Sequence, residues 1–124
     1  MKRLMIVDDS LIIRRRIKRA HGLDEFSVVG TASNGEEAVA LARQTAPDLI
    51  TIDLTMPHMD GIEAIPLLAS ICPDARILVV SALADKATAI TALSRGAHGF
   101  VCKPFTDDEL HDALSELAAD LPAR

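Results

Sequence analysis

Short aliphatic, β-branched runs alternate five times along the chain with longer segments whose apolar positions recur at helical spacing. The runs predict strands at Leu4–Val7, Ser27–Thr31, Leu49–Ile52, Ile77–Val80 and Gly99–Cys102. The spacing between them predicts helices over about Leu11–Ala20, Gly35–Gln44, Gly61–Ile71, Ala84–Arg95 and Asp107–Ala118. Several boundaries carry a mechanism. Ser33 or Asn34 can cap the second helix, with Glu36 and Glu37 in its positive first turn. Thr106 and Glu109 have capping-box spacing at the start of the last, and Gly96 falls where a left-handed C-cap would close the fourth. Pro66 breaks the local rules of the third helix, predicting either a kink or a later start.

Five strand–helix units in succession imply a parallel sheet with helices on both faces. Runs such as Ile77-Leu78-Val79-Val80, apolar at every position, suit strands buried on both sides. Right-handed crossovers leave few topologies, and the expected one is the flavodoxin-like doubly wound sheet of order 2-1-3-4-5. Nothing resembles a repeat or a linker, so residues 1–124 are read as a single domain.

Composition narrows the function classes. The core must be aliphatic, because Phe26, Phe100 and Phe105 are the chain's aromatics. A net charge of −5 argues against binding nucleic acid non-specifically. No apolar stretch approaches the ~20 residues of a membrane span, and Met1-Lys2-Arg3 opens no signal peptide. Cys72 and Cys102 have no metal-type spacing and read as reduced thiols in a cytoplasmic protein.

Ligands of open parallel sheets bind outside the carboxyl ends of the strands. The polar residues at those ends are Asp8 and Asp9 after the first strand, Asp53 after the third, Ser81 after the fourth and Lys103 after the fifth. Three converging carboxylates need a cation to stay ionised together, and magnesium suits one or two carboxylates, waters and phosphate oxygens. A lysine and a hydroxyl opposite them would complement a transferred phosphoryl group. Aspartate is a nucleophile for such transfer, giving an acyl phosphate. Taken singly, each residue has a plainer reading: helix caps for Asp9, Ser10 or Ser81, a loop residue for Asp53, a surface charge for Lys103.

Val7-Asp8-Asp9-Ser10, Asp53-Leu54-Thr55-Met56-Pro57-His58-Met59-Asp60-Gly61, Val80-Ser81-Ala82 and Cys102-Lys103-Pro104-Phe105 together resemble the motifs of receiver domains of two-component response regulators. The resemblance covers essentially the whole chain and is strongest to single-domain, chemotaxis-type regulators. It implies that Asp8 and Asp9 bind magnesium (or manganese) and that Asp53 accepts the phosphoryl group. The backbone carbonyl of Thr55 would complete the metal shell. Ser81 and Lys103 would hold the phosphoryl oxygens, and the Lys103–Pro104 bond would be cis. Phe100 matches a switch aromatic that turns inward as Ser81 moves, reshaping the surface of the fourth helix, fifth strand and fifth helix. The plainer reading of Phe100 is a core aromatic.

The implied protein is no enzyme in the ordinary sense. It is a monomeric, cytoplasmic phosphoprotein that receives its phosphoryl group from a histidine kinase and acts in trans on an output protein. Only six residues follow Ala118, too few for an output domain. Relay intermediate and phosphate sink are alternatives with the same residues. An aspartate-based phosphatase is a poorer match, because Thr55 cannot supply the second acid such enzymes carry. A flavodoxin-like electron carrier fails on Asp8-Asp9, which would repel a flavin phosphate.

Some features depart from the family pattern. Phe100 stands where many members have tyrosine, and Leu83 is apolar where some relatives are polar. Arg16, within the run Arg14-Arg15-Arg16-Ile17-Lys18-Arg19, occupies a position that is often apolar. That run reads as a solvated helix face, with Ile13, Ile17 and Ala20 inward, and its charge suits docking of an acidic kinase surface. His58 reads as a loop side chain, and His21, His98 and His111 belong to no evident constellation.

Overall fold

The run Ile77–Val80 has no polar position to offer water, and β4 (Arg76–Ser81), which contains it, is buried on both sides there. Ile77 and Val79 enter one apolar cluster, whereas Leu78 and Val80 enter another on the opposite side of the sheet. The computed structural model describes residues 1–83, 85–119 and 121. With β1 (Lys2–Val7), β2 (Phe26–Ala32), β3 (Leu49–Ile52) and β5 (Gly99–Cys102), β4 forms a five-stranded sheet of order β2-β1-β3-β4-β5. All four pairings are parallel, as the alternation of strands and helices predicts. The edge pairing of β1 with β2 slips at Leu4/Met5, leaving Val29 without a partner residue.

The helices α1 (Leu11–Lys18), α2 (Gly35–Thr45), α3 (Gly61–Ile71), α4 (Lys86–Arg95) and α5 (Asp107–Ala119) divide between the two faces. Ala38 and Ala42 of α2, Ala64, Ile65 and Leu68 of α3 and Ala92 of α4 pack on one side. Ile17 of α1 and Leu110 and Leu114 of α5 pack on the other, with Ile13 and Ala20 alongside.

The capping signals resolve into specific bonds. Asn34 rather than Ser33 caps α2, accepting from Glu37 N–H at 2.9 Å, while Ser33 donates its own N–H and hydroxyl to the Glu37 carboxylate. Thr106 and Glu109 bond reciprocally, at 3.1 and 3.2 Å, as a capping box does. Gly96 closes α4 with φ of 128°.

Two predicted helices, the first and the fourth, differ from the observed ones by two residues, whereas the third keeps its predicted bounds. The first stops at Lys18, two residues early, because the chain turns through Gly22 at φ 87° into a short 3-10 turn, Leu23–Glu25, that no sequence signal announced. The fourth starts at Lys86, since Asp85 takes the cap by accepting from Thr88 N–H at 3.1 Å; Ala84, its predicted first residue, lies outside the described residues. The third starts at Gly61 and runs through Pro66, so a later start is not the solution. Pro66 faces solvent, where water can serve the carbonyl its missing N–H leaves without a helical partner.

Candidate functional site

Ladder hydrogen bonds running one residue past the strands assemble the site. Asp53 N–H donates to Val7 O at 3.0 Å, extending the β1–β3 pairing and drawing Asp53 beside Asp8. Asp8 N–H donates to Ala32 O at 3.0 Å, and Lys103 N–H to Ser81 O at 2.9 Å, in the same manner. Carboxylate oxygens of Asp8, Asp9 and Asp53 consequently lie within 4.8 Å of one another. Asp8 and Asp53 are buried and Asp9 is exposed.

Lys103 bridges the two buried carboxylates, its Nζ 2.8 Å from Asp8 Oδ2 and 3.4 Å from Asp53 Oδ2. Burial pushes the Asp53 carboxyl above its usual range; the Lys103 charge opposes that and the Asp8 charge adds to it. Burial would also lower the Lys103 ammonium, but its hydrogen bond to Asp8 and the charges of Asp53 and Asp8 outweigh this and hold it above its ordinary value. One lysine against three carboxylates leaves two negative charges to be matched. The donors are hard oxygens and few in number, which fits a magnesium ion completed by water and phosphate oxygens. Zinc or copper would favour nitrogen or sulfur, and no histidine or cysteine joins this group among the described residues.

Ser10 fills its expected cap role, accepting from Ile13 N–H at 3.3 Å, while its own N–H donates to Asp8 Oδ1 at 2.9 Å. Thr55 N–H lies near the Asp53 carboxylate and favours its charge. Ser81 is buried at the end of β4, its hydroxyl accepting from Leu83 N–H at 3.1 Å. Phe100 is half-buried and packs against the cluster beneath α3 and α4. The Lys103–Pro104 bond is cis.

The loop between Asp53 and α3 is held at close quarters. Gly61 N–H donates to Leu54 O at 3.1 Å, and a Cβ on Gly61 would overlap the Asp53 carbonyl oxygen. Gly35 N–H donates to Met59 O at 2.8 Å, pinning the loop's far end to α2. Asp60 caps α3 by accepting from Glu63 N–H at 2.9 Å. His58 adopts φ of 66° in this loop and is exposed, as a loop side chain would be.

Two groups of contacts were not legible in the sequence. Arg14 donates to Asp8 O at 2.6 Å, and Arg16 reaches Phe105 and Asp107, so the basic run is only partly a solvated face. His111, which showed no constellation in the sequence, has one in the fold: its ring lies 2.9 Å from Glu25 Oε2 and packs near Phe26. His98 likewise accepts from Ile77 N–H through Nδ1 at 3.0 Å. Both depend on chain crossings that local spacing does not encode.

Residues 4–115 match the response regulator receiver domain family. The chain belongs to that family. The chemotaxis protein CheY of Thermotoga maritima is 39% identical over 117 residues, 94% of this chain and 98% of that protein. CheY of Listeria monocytogenes is 38% identical over 118 residues, 95% of this chain and 99% of that protein. Among solved structures, the CheX–CheY–BeF3–Mg2+ complex of Borrelia burgdorferi matches with a TM-score of 0.89 at 28% identity, covering 94% of this chain and 89% of that one. Receiver domains are signalling modules that interact with histidine kinases and output partners, and they typically bind magnesium. No helix among the described residues is long and apolar enough to cross a membrane.

Proposed function

We propose that this receiver accepts a phosphoryl group on Asp53 from the phosphohistidine of a kinase. The observation that carries the reading is the Asp8, Asp9 and Asp53 carboxylate cluster, closed on its far side by Lys103. A carboxylate oxygen of Asp53 attacks phosphorus, forming the acyl-phosphate P–O bond as the P–N bond breaks. The electron pair of that bond returns to the imidazole nitrogen, and the ring, protonated on its other nitrogen, leaves as neutral imidazole. Asp8, Asp9, Asp53 and the Thr55 carbonyl would hold magnesium (or manganese), which would supply charge neutralisation for the transferring oxygens. Lys103 leaves its carboxylate partners to pair with a phosphoryl oxygen, and the Ser81 hydroxyl turns from Leu83 N–H to donate to another.

The Ser81 movement vacates space for Phe100, whose half-buried position favours a second, inward packing. The surface formed by α4, β5 and α5 then changes shape for an output partner acting in trans. Likeness to CheY proteins, which the chain spans almost end to end, supports a chemotaxis role.

The exposed Arg15 and Lys18 on α1, with Arg19 at its C-cap, are assigned to kinase docking. The test compares Arg15→Glu/Arg19→Glu with the native chain, using the kinase and a small acyl-phosphate donor in turn. Slower transfer from the kinase alone is the expected result; equal slowing with both donors removes the docking assignment. One phosphoryl group per chain supports the receiver, whereas sustained turnover of a phosphate ester would support a phosphatase instead. A pull-down with beryllofluoride and magnesium, set against Asp53→Asn, separates an output role from relay or sink: the output role requires a partner held only in the activated state.

A further inference from the structure

Lys103 approaches the carboxylates from a loop, and the loop is held by α1, whose Ile17 packs in the same core cluster as Phe105. Between the end of β5 at Cys102 and the start of α5 at Asp107, Arg16 makes three contacts. Its guanidinium lies 5.0 Å from the centroid of the Phe105 ring and donates to Phe105 O at 3.3 Å. It also pairs with the Asp107 carboxylate, which accepts from His21 N–H at 2.9 Å as well. An exposed ion pair alone contributes little, and this one is more than a third exposed on both partners, at 40% and 37%. Stacking, a carbonyl bond and an ion pair made by one planar group restrict a loop far more than any one of them.

Phe105 is buried beneath that guanidinium, two residues from Lys103. Its carbonyl and ring are thus fixed to α1 on the same loop that aims the ammonium between Asp8 and Asp53. We infer that Arg16 is a positioning residue for Lys103: by clamping Phe105 and Asp107 it holds the ammonium where a phosphoryl oxygen will stand. The inference rests on the proposed phosphoryl chemistry at Asp53 and adds to it a residue remote from the reacting atoms. Small losses of registry at a phosphoryl-binding cation cost large factors in affinity for the transferring group.

The test uses the full chain, with beryllofluoride as the phosphoryl probe and magnesium titrated separately. Arg16→Leu keeps the aliphatic bulk but removes all three contacts. It is expected to weaken beryllofluoride uptake, read by fluorine NMR, by roughly tenfold. Affinity for magnesium alone, read by calorimetry, should not fall, because a Lys103 drawn away from Asp8 and Asp53 leaves more of their charge for the ion to match. Arg16→Lys, which keeps the charge without the fork or the stack, should fall between. A structural role alone would lower the urea midpoint and leave the beryllofluoride-to-magnesium ratio unchanged, overturning the inference. Should Arg16→Leu fail to fold, Arg16→Lys and Asp107→Asn decide in the same way: native beryllofluoride affinity in both overturns it. Failure of the native chain to take up beryllofluoride would instead overturn the acyl-phosphate reading itself.

Discussion

The Lys103 ammonium reaches across the end of β4 to lie 3.4 Å from the Asp53 carboxylate. A single cation there stands in for charge that three converging acids require, and two negative charges are left over. A divalent ion should therefore stabilise the fold. Binding at about ten times its dissociation constant adds roughly 1.4 kcal/mol, a rise of several degrees in Tm. Asp8→Asn and Asp53→Asn should lose most of that rise. Calorimetric melts with and without magnesium decide it, and an equal rise in all three proteins would mean the ion binds elsewhere.

Gly61 lets α3 start against the backbone of Asp53. A Cβ there would overlap the Asp53 carbonyl oxygen and approach Leu54 Cα to 2.9 Å, and neither is the tip of a flexible side chain. Gly61→Ala should cost about 1–3 kcal/mol by forcing the backbone to move. Because the displaced atoms carry Asp53, phosphorylation should slow even at temperatures where the variant is fully folded. Native rates in the folded variant would show that the close approach does not position Asp53.

Thr51 lies at the centre of β3, fully buried, and its hydroxyl has no hydrogen-bond partner among the described residues. Thr51→Val keeps the shape and removes the unpaired group. It should stabilise the chain by about 1 kcal/mol, read from urea midpoints. Destabilisation of that size would reveal a partner for the hydroxyl.

Two histidines should act on stability in opposite directions. The hydrogen bond to Glu25, aided by nearby acidic charge, raises the His111 pKa above its ordinary 6.5. Its contribution is therefore complete below 6.5 and is lost as pH rises through the higher folded value. Burial, helped by the Arg76 charge, lowers the His98 pKa, so its neutral form is favoured. Its contribution is complete above 6.5 and declines as pH falls from there toward the folded value. His111→Gln should make stability rise more steeply with pH than in the native chain. His98→Asn, which retains an acceptor for Ile77 N–H, should make it fall more steeply. Urea midpoints at several pH values around 6.5 check both, and parallel profiles would contradict the assignment.

Much of this architecture was legible because it is written in local spacing. Ile77-Leu78-Val79-Val80 declared a strand buried on both faces, and the strand ends delivered Asp8, Asp9, Asp53, Ser81 and Lys103 to one edge. What stayed hidden depends on contacts far apart in sequence. Arg16 meets Phe105 across 89 positions, and Glu25 meets His111 across 86. Nothing in a basic run or an isolated histidine encodes those partners. The early end of α1 was obscured in a related way, because Ala20 faces inward like a helical residue after the helix has stopped.

The central claim is that Asp53 forms the acyl phosphate. Intact-mass measurement after incubation with a small acyl-phosphate donor and magnesium tests it most directly. One phosphoryl group should be added per native chain, mapped to the peptide containing Asp53, with none on Asp53→Asn. Undiminished labelling of Asp53→Asn, or labelling mapped to another residue, would contradict it.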